Sequence, residues 1–557
     1  MANGMPCQET AKPPVKLFGV CVCVAALSLS ASGAEQTSGS RMIAVNAGKE
    51  IGDAYNFWSV SNFTSEDMFA QPEMRERTVR AHPFMRYVNC VRLLGGRDDK
   101  KNEWFQSVAP GGAVKCDFTS MAAYLRGIQD WGFTPRIVLD NVPTAMSEPP
   151  KMNVYGNTYP PRDYAVYHRF IKAAVQAMAD AFGKDVVAKW RFRVGTEPDL
   201  YPGHWAGTKE EYLRLYDYAV DAVTQVIPEA DIGPGNVLNP FGKSEKGTWG
   251  LDVIDHAATG RNYRTGATGT RLRYISCSWY GRIGQPIDTF EKTVRLIRRR
   301  LETYPQFRGL PVEMAEFGVL NDEKGNRFWS CEGTEWSASW LAAIADRAWR
   351  LNVGRIHLWA TVAPDGLFIP YTHVLWMLER MGGGRRVAGE ATGSPDQPSA
   401  NSGAIACVKD GHVFVLAYNH SASRASLPPL RVALNVGDAR MKKGQTWKIS
   451  EWLIDEEHSG FMRAFCRDCE AAGIELLPKT AMFSTDIRRR FGEPGSALFK
   501  KNIGRYREMT ELFQPRDGAP VAVGDGAVSL EFNMPSHSVR LLEIAPGDSA
   551  AKLRKSD

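Results

Sequence analysis

Short apolar runs with the period of a β-strand alternate with stretches that have the period of an amphipathic helix, from residue 56 to residue 385. The strand-like runs lie at residues 56–58, 87–94, 135–139, 192–194, 230–232, 274–277, 312–314 and 355–359. Between them, Thr208 and Glu211 have the spacing of a capping box, and an apolar stripe at helical spacing follows. Eight alternating strand and helix units predict a (β/α)8 TIM barrel over residues 56–385.

The pattern changes after residue 381, where residues 382–384 and 391–399 have the composition of turns and linkers. Short alternating runs then recur at residues 403–408, 413–417, 430–434, 447–449, 528–532 and 538–544. This spacing favours a β-sandwich over residues 386–547, followed by a disordered tail at 548–557. Residues 35–55 form a linker with a strand at 42–45, which we expect to join the sandwich.

The N-terminus has the pattern of a signal peptide. Lys12 and Lys16 precede an apolar run at residues 17–29, and small residues at 32–34 suit cleavage. The run is short for a membrane span, and no later stretch is long and apolar enough to be one. We therefore expect residues 1–34 to be a signal peptide, and the protein to be secreted or periplasmic without a membrane span.

Charge and cysteine content narrow the possible partners. The net charge of +6 is mild and its basic residues are scattered, which argues against nucleic acid but suits an acidic or sulfated sugar. Seven cysteines remain beyond residue 34, an odd number that leaves at least one free thiol. Cys466 and Cys469 have metal-ligand spacing without a second pair, so a local disulfide or two thiols are each favoured over zinc. We expect no metal and no cofactor, and the sequence does not indicate an oligomeric state.

Two carboxylates follow apolar strands in similar settings. Glu197 comes after the strand at 192–194 and directly before Pro198, and Glu316 lies 119 residues later in the seventh strand region. Strands four and seven lie across the mouth of a barrel, so these groups can face each other there as the carboxyl pair of a glycoside hydrolase. Glu313, three residues before Glu316, is expected to face the opposite side of its strand and to pair with a helix. Taken alone, either Glu197 or Glu316 would be better explained as an acidic residue of a surface loop, and it is the pair that favours catalysis.

The stretch at residues 188–200 resembles the acid/base signature of clan A glycoside hydrolases, and residues 315–318 resemble their nucleophile strand. More narrowly, the chain resembles glycoside hydrolase family 39, which contains β-xylosidases and α-L-iduronidases. Segments at 160–164, 187–190, 207–217, 453–458 and 539–543 carry the likeness, which extends from about residue 42 to 545.

The resemblance implies a retaining glycosidase, exo-acting like most of the family, with an oligo- or polysaccharide as its partner. It implies that Glu197 is the general acid/base and Glu316 the nucleophile. Tyr280 matches a tyrosine that the family keeps near the nucleophile, and Trp359 matches an aromatic floor under the sugar. Core packing is the alternative role for Trp359.

The chain departs from the family at several positions that contact the sugar. Thr196 stands where the family has an Asn that binds the 2-hydroxyl, and Asp199 stands where a second Asn is common. Ser278 stands where the family usually has a His. Residues 93–96, after Arg92, contain no His, although the family often has a second one there. We hypothesise that the sugar in the −1 subsite, the one whose bond is cleaved, is not plain xylose and differs or is substituted at O2.

Charged residues at the expected mouth suggest a second hypothesis. Arg97, Asp98 and Asp99 follow strand two, Asn141 follows strand three, and Arg282 follows strand six. Guanidinium groups there are suited to holding a uronate or sulfate, although ion pairs with the neighbouring acids explain them equally well.

Two other classes of function remain open at this stage. A carbohydrate-binding pseudoenzyme would explain the altered subsite, but it would not need both Glu197 and Glu316. A metal-dependent hydrolase lacks a ligand set, because His204, His357 and His420 are scattered along the chain.

Overall fold

The computed structural model describes residues 39–63, 84–147, 152–241, 249–320, 333–359, 366–392, 400–425, 428–477 and 487–547. The predicted signal peptide, the predicted tail, Cys331 and residues 393–399 of the predicted linker lie outside these ranges. Within them, no helix is long and apolar enough to cross a membrane.

The strands, numbered in chain order, are β1 (Ser40–Asp53), β2 (Val60–Phe63), β3 (Tyr87–Cys90), β4 (Phe105–Val108), β5 (Val114–Cys116), β6 (Thr134–Leu139), β7 (Arg191–Val194), β8 (Asp231–Pro234), β9 (Ile275–Gly281), β10 (Val312–Val319), β11 (Ile356–Leu358), β12 (Arg385–Thr392), β13 (Ala400–Lys409), β14 (His412–Ser421), β15 (Leu430–Gly437), β16 (Thr446–Ile454), β17 (Phe513–Ala522), β18 (Ala527–Met534) and β19 (Ser538–Pro546).

The α-helices are α1 (Thr119–Asp130), α2 (Thr144–Ser147), α3 (Tyr164–Phe182), α4 (Lys184–Val187), α5 (Lys209–Val226), α6 (Asp252–Thr259), α7 (Asp288–Glu302), α8 (Glu335–Arg350), α9 (Pro370–Met381), α10 (Met462–Ala471), α11 (Ile487–Lys501) and α12 (Ile503–Met509). The capping box predicted at Thr208 and Glu211 is present at the start of α5, with both reciprocal bonds formed.

Eight parallel strands form the barrel, in the order β8-β7-β6-β3-β2-β11-β10-β9. A bridge between Val237 and Cys277 joins the two ends of this order, so the sheet closes on itself. The first strand lies at β2 rather than at residues 56–58. The aromatic run at 56–58 instead packs on helices: Phe57 and Trp58 meet Trp349 edge to face, and Trp58 donates its indole N–H to Glu379 at 3.0 Å.

The lower half of the barrel interior holds a buried ionic cluster. Glu313 on β10 accepts hydrogen bonds from Arg136 on β6 at 2.8 Å, from Arg191 on β7, and from His357 on β11 at 3.1 Å. Strands β6 and β7 are not neighbours of β10, so these side chains meet inside the barrel. Burial raises the pKa of Glu313, but the charges of Arg191 and Arg136 outweigh it and lower that pKa well below its ordinary value.

The prediction that Glu313 faces away from Glu316 and pairs with a helix is wrong, because β10 contains a bulge. Met314 pairs with Cys277 on β9, yet Glu316 pairs with the next residue, Ser278. Ala315 is therefore an extra residue, and it breaks the two-residue alternation of the strand. Glu313 lies opposite Ser276 and Glu316 opposite Ser278, which places both carboxylates on the same face.

The second architectural unit is a nine-stranded sheet in the order β17-β16-β19-β14-β13-β12-β1-β15-β18. β1 pairs antiparallel with β12 and parallel with β15, so the strand predicted near residue 43 does join this sheet. Apolar residues from strands at both ends of the order share one core, including Val432, Trp447, Val528 and Ile544. The sheet is therefore folded over itself into a sandwich.

Three helices, α10 to α12, interrupt this region, where the sequence predicts only strands. An aromatic cluster of Phe461, Phe465, Phe499 and Tyr506 packs them together. Cys466 and Cys469 lie one turn apart on α10 as buried free thiols, which agrees with two thiols rather than a disulfide.

We predict that Glu313→Gln destabilises the fold by about 3–5 kcal/mol, because it leaves Arg136 buried without its counter-ion and Arg191 with Asp231 alone. Urea denaturation at neutral pH measures this change. The control is Glu531→Gln, which removes the exposed partner of Arg431 on the sandwich and should cost less than about 1 kcal/mol. Equal effects of the two substitutions would contradict a structural role for the cluster.

Candidate active site

Glu197 lies in a tight turn at the carboxyl end of β7. Its φ of 39° is left-handed, an uncommon conformation for a residue with a side chain, and its side chain is buried, with 5% exposure. Asp199 holds the turn to the segment after β8, because its carboxylate accepts the backbone N–H groups of Leu238 and Asn239 at 2.8 and 2.9 Å. The aspartate that departs from the family pattern is thus a structural anchor here.

Glu316 lies on β10 with 8% exposure and accepts a hydrogen bond from the hydroxyl of Tyr280 on β9 at 2.8 Å. This is the contact that the family resemblance implies for Tyr280. A donor to the charged form of a carboxylate favours its ionisation.

Ser278 connects the two carboxylates. Its hydroxyl donates to Oε1 of Glu197 at 2.5 Å and accepts from Nδ2 of Asn236 at 2.7 Å. Asn236 also forms a side-chain hydrogen bond with Glu316. Ser278 itself lies opposite Glu316 in the pairing of β9 with β10, so one short chain of polar groups joins both carboxyls.

The surroundings of the two carboxyls differ, and this divides their protonation. Burial, then repulsion by Glu316, raises the pKa of Glu197 to about 8, with the Ser278 hydrogen bond opposing the rise. Burial also raises the pKa of Glu316, but the charge of Arg193 and the hydrogen bonds from Tyr280 and Asn236 oppose it. The surroundings therefore favour the charged form of Glu316 over the charged form of Glu197.

Thr196, one residue before Glu197, has its hydroxyl turned into the protein. The hydroxyl donates to Oδ2 of Asp140 at 2.7 Å and accepts from Nη2 of Arg193 at 3.0 Å. Asp140 also accepts the backbone N–H of Arg92 at 2.6 Å. The single proton of Thr196 is therefore committed to Asp140 and is not available to a sugar hydroxyl.

The residues proposed to bind an acidic group have other contacts. Arg97 forms a bidentate ion pair with Asp99, at 2.7 and 2.6 Å, so for Arg97 the ion-pair alternative is favoured. The amide of Asn141 donates to backbone carbonyls of Tyr155 and Gly96, at 2.6 and 3.3 Å. Arg282 is exposed at the end of β9.

Trp359 lies directly after β11 and is half-buried. Its backbone N–H donates to Phe317 at 3.1 Å, and its carbonyl accepts from the hydroxyl of Tyr371 at 2.7 Å. Its indole N–H is buried without a hydrogen-bond partner among the described residues. The backbone is thus anchored at the end of the barrel where Glu316 lies, and the ring position is compatible with a sugar platform.

Several residues of the site escaped prediction. Asp140 and Asn236 come at or just after the ends of β6 and β8, so the strand-end reasoning applied to Glu197 also finds them. His204 lies with Nε2 3.6 Å from Oε2 of Glu197, and its ring stacks on Tyr155 with centroids 4.1 Å apart. Burial, then the charges of Arg92 and Arg193, lowers the pKa of His204 to about 3, so the imidazole is neutral.

Within the described ranges there is no cluster of three or more His, Cys, Asp or Glu side chains arranged to hold a metal ion.

Comparison with known proteins places this geometry in a family. The model of Glycosyl hydrolases family 39 matches residues 41–345. An alpha-1,4-L-rhamnosidase from Formosa agariphila is 23% identical over 291 residues, which cover 49% of this chain and 57% of the relative. A beta-xylosidase from Caldicellulosiruptor saccharolyticus is 27% identical over 194 residues, which cover 34% of this chain and 39% of the relative.

Among solved structures, the GH39 enzyme from Xanthomonas axonopodis pv. citri superposes with a TM-score of 0.68 at 16% identity, covering 93% of this chain and 99% of that one. This similarity confirms the predicted barrel with a β-sandwich. The match to the two curated relatives spans at most 57% of their length.

We predict that Glu197→Gln gains stability over the unaltered chain as the pH rises. Folding raises the pKa of Glu197 from 4.5 to about 8, so between these pH values the folded chain keeps a proton that the unfolded chain has lost. The free energy of unfolding of the unaltered chain therefore falls as the pH rises through this range. The amide of Gln does not titrate, so Glu197→Gln does not lose stability in this way. Denaturation at about pH 5 and about pH 9 should show the larger gain at the higher pH. The exposed Glu229→Gln control should show no such trend, and a parallel response of both variants would contradict the assignment.

Proposed function

The chain belongs to glycosyl hydrolases family 39, and we propose that it is a retaining glycoside hydrolase with Glu316 as nucleophile and Glu197 as general acid/base. The observation that carries this proposal is the unequal environment of two buried carboxyls at one barrel mouth. Arg193, Tyr280 and Asn236 favour the charged form of Glu316, whereas burial and repulsion keep the proton on Glu197. A double displacement needs one ionised and one protonated carboxyl.

In the first half-reaction, a carboxylate oxygen of Glu316 attacks the anomeric carbon while the bond to the leaving oxygen breaks. Glu197 transfers its proton to that oxygen. Because Oε1 of Glu197 already accepts the Ser278 hydroxyl proton, the transferable proton lies on Oε2, the oxygen nearer His204. The products are a covalent glycosyl ester on Glu316 and a free alcohol.

In the second half-reaction, Glu197 is ionised and acts as a base. It takes a proton from water as the water oxygen attacks the anomeric carbon and the ester bond to Glu316 breaks. The sugar is released with its original anomeric configuration, and the protonation of the pair returns to its starting state.

The altered contacts of Thr196 support the proposal that the −1 sugar is not plain xylose. A hydroxyl that donates to Asp140 offers a sugar only a lone pair, whereas an amide at this position would offer a donor. A sugar that differs at O2, or carries a substituent there, does not require that donor. The names of the relatives, a rhamnosidase and a xylosidase, show that the matched proteins act on different sugars.

We also propose that the protein acts outside the cytoplasm, as an exo-acting enzyme on a plant, algal or host glycan. The basic and apolar pattern at residues 12–34 supports export. The resemblance of the chain to family 39 supports exo action. A binding protein without catalysis remains the second candidate, because several sugar-contacting positions differ from the family pattern.

We predict that a library of 2-fluoro glycosides with dinitrophenyl leaving groups labels Glu316 covalently. The fluorine slows both half-reactions, and the good leaving group lets the ester accumulate. Intact-mass analysis followed by peptide mapping locates the adduct and identifies the sugar.

Two variants separate the roles. Glu316→Gln should not be labelled at all, whereas Glu197→Gln should still be labelled because a dinitrophenolate needs no proton. Glu197→Gln should nevertheless lose about 10²–10⁴-fold in kcat on an unactivated glycoside. A folded protein that binds a glycan but takes up no label from any sugar would favour the binding protein.

A panel of 4-nitrophenyl glycosides tests the −1 sugar. We expect the xyloside to have a lower kcat/KM than at least one glycoside whose sugar differs from xylose at C2 or at a higher-numbered carbon. Thr196→Val, which removes the hydroxyl but keeps the side-chain volume, should not change the order of preference, because the hydroxyl proton does not reach the sugar. A xyloside that exceeds every other substrate by a wide margin would overturn the proposal.

A further inference from the structure

Arg193 is a buried cation between the ionic cluster and the catalytic carboxyls. It lies on β7, two residues after Arg191, and so shares the interior face of the barrel with it. Its exposure is 4%. The only hydrogen bond described for its side chain runs from Nη2 to the hydroxyl of Thr196 at 3.0 Å.

The guanidinium of Arg193 is not satisfied as a buried charge normally is. Its Nε and Nη1 atoms are buried without a hydrogen-bond partner among the described residues, and it forms no ion pair with any described carboxylate within 4.0 Å. By contrast, Arg191 one layer below is paired with both Asp231 and Glu313. A buried charge without direct partners is costly unless nearby opposite charge compensates it.

Besides Asp140, which Arg193 reaches through the hydroxyl of Thr196, the opposite charge near Arg193 is that of the carboxylate pair. The positive charge of Arg193 lowers the pKa of Glu316 more than any other group does, and it also lowers the pKa of Glu197. The other titratable or charged groups around the pair are Asp140, Asp199, His204, Tyr280, Arg92 and, in the layer below, His357. Asp140 and Asp199 oppose ionisation of the pair, and both histidines have lowered pKa values and are neutral.

We propose that Arg193 is a positioning residue whose buried guanidinium is the fixed counter-charge of the carboxylate pair, stabilising the single negative charge on Glu316. This inference rests on the proposed function for its catalytic consequence. In the first half-reaction the charge is on Glu316, and after the ester forms it is on Glu197. A cation that acts on both sites stabilises either state without moving.

Thr196 links this cation to the strand-end network. Its hydroxyl accepts from Arg193 and donates to Asp140, so the guanidinium is held in one orientation beneath the turn that carries Glu197. The threonine that replaces the family asparagine therefore serves the counter-charge instead of the sugar.

The test compares variants that separate charge from hydrogen bonding. Arg193→Gln keeps an N–H donor for Thr196 but loses the charge, and Arg193→Lys keeps the charge. Thr196→Val breaks the link but leaves the cation. Exposed Arg431→Gln on the sandwich is the control, and circular dichroism with melting curves confirms that each variant folds.

The first readout is the pH dependence of labelling of Glu316 by a 2-fluoro glycoside. Because only ionised Glu316 attacks, the acidic limb reports its ionisation. We expect Arg193→Gln to move the acidic limb to higher pH by about one unit or more. At pH values below the limb, the labelling rate should fall at least tenfold. Arg193→Lys should restore most of the shift. Thr196→Val, which removes the hydrogen bond that orients the guanidinium, should move the limb in the same direction by less than Arg193→Gln, and Arg431→Gln should leave the limb unmoved.

The second readout does not depend on catalysis. Losing the counter-charge raises the pKa of the folded carboxyl further, so the folded state retains protons that the unfolded chain has lost. The unfolding free energy of Arg193→Gln should therefore fall more steeply between about pH 5 and about pH 8 than that of the unaltered protein. Arg193→Lys should follow the unaltered protein.

The outcomes are distinguishable. An unaltered protein that takes up no label refutes the proposed function, while the unfolding curves still decide the role of Arg193. Equal limbs and equal pH slopes for Arg193→Gln and the unaltered protein overturn the counter-charge. If Arg193→Gln does not fold, the test rests on Arg193→Lys. The counter-charge is overturned if folded Arg193→Lys has an acidic limb displaced by about one pH unit from that of the unaltered protein, or a different pH slope of the unfolding free energy. The positive charge would then not be the property that matters.

Discussion

Two carboxyl groups buried side by side cannot both ionise without a nearby positive charge, and the upper half of this barrel is built around that constraint. Glu197 and Glu316 have 5% and 8% exposure, and each raises the electrostatic cost of charging the other. Ser278, Asn236 and Tyr280 supply hydrogen bonds, but hydrogen bonds alone do not offset the loss of water around a charge. A buried cation nearby is the remaining solution, and Arg193 on β7 supplies it.

The barrel core below the carboxyl pair is polar as well. Barrel interiors are usually filled by branched apolar residues, yet here β6, β7, β10 and β11 contribute Arg136, Arg191, Glu313 and His357 to one layer. Asn89 donates to Nδ1 of His357 at 2.5 Å, which leaves the Nε2 proton to face Glu313. This layer is neutralised by direct ion pairs, so it does not draw on the charge of Arg193 above it. The bulge at Ala315 makes the two layers possible, since it turns both Glu313 and Glu316 inward.

The sequence predicted the features that depend on local pattern. The alternation through Phe192 and Val194, the capping box at Thr208 and the strand-end positions of Glu197 and Glu316 are visible because propensity and periodicity determine them. The bulge at Ala315 was not predictable, because Met314 and Ala315, the two residues between Glu313 and Glu316, are both apolar and neither carries a compositional signal of an extra residue. The inward orientation of Arg191 and Arg193 was not predictable either. Alternation shows which residues share a face of β7, but it does not show which face lies inside a closed barrel.

Departures from a family pattern are often taken as a sign of lost function, and the contacts at this site argue against that interpretation here. Each substituted residue has hydrogen-bond partners of its own: Thr196 bonds Asp140 and Arg193, Asp199 caps two backbone amides, and Ser278 bridges Asn236 to Glu197. Drift after loss of catalysis would leave the substituted side chains without such partners, since nothing selects for them. Ser278 in particular donates a hydrogen bond to Oε1 of Glu197, which leaves Oε2 to carry the acidic proton. That arrangement has a consequence only if Glu197 transfers a proton, so the altered residues are better explained as a rebuilt catalytic site than as an abandoned one.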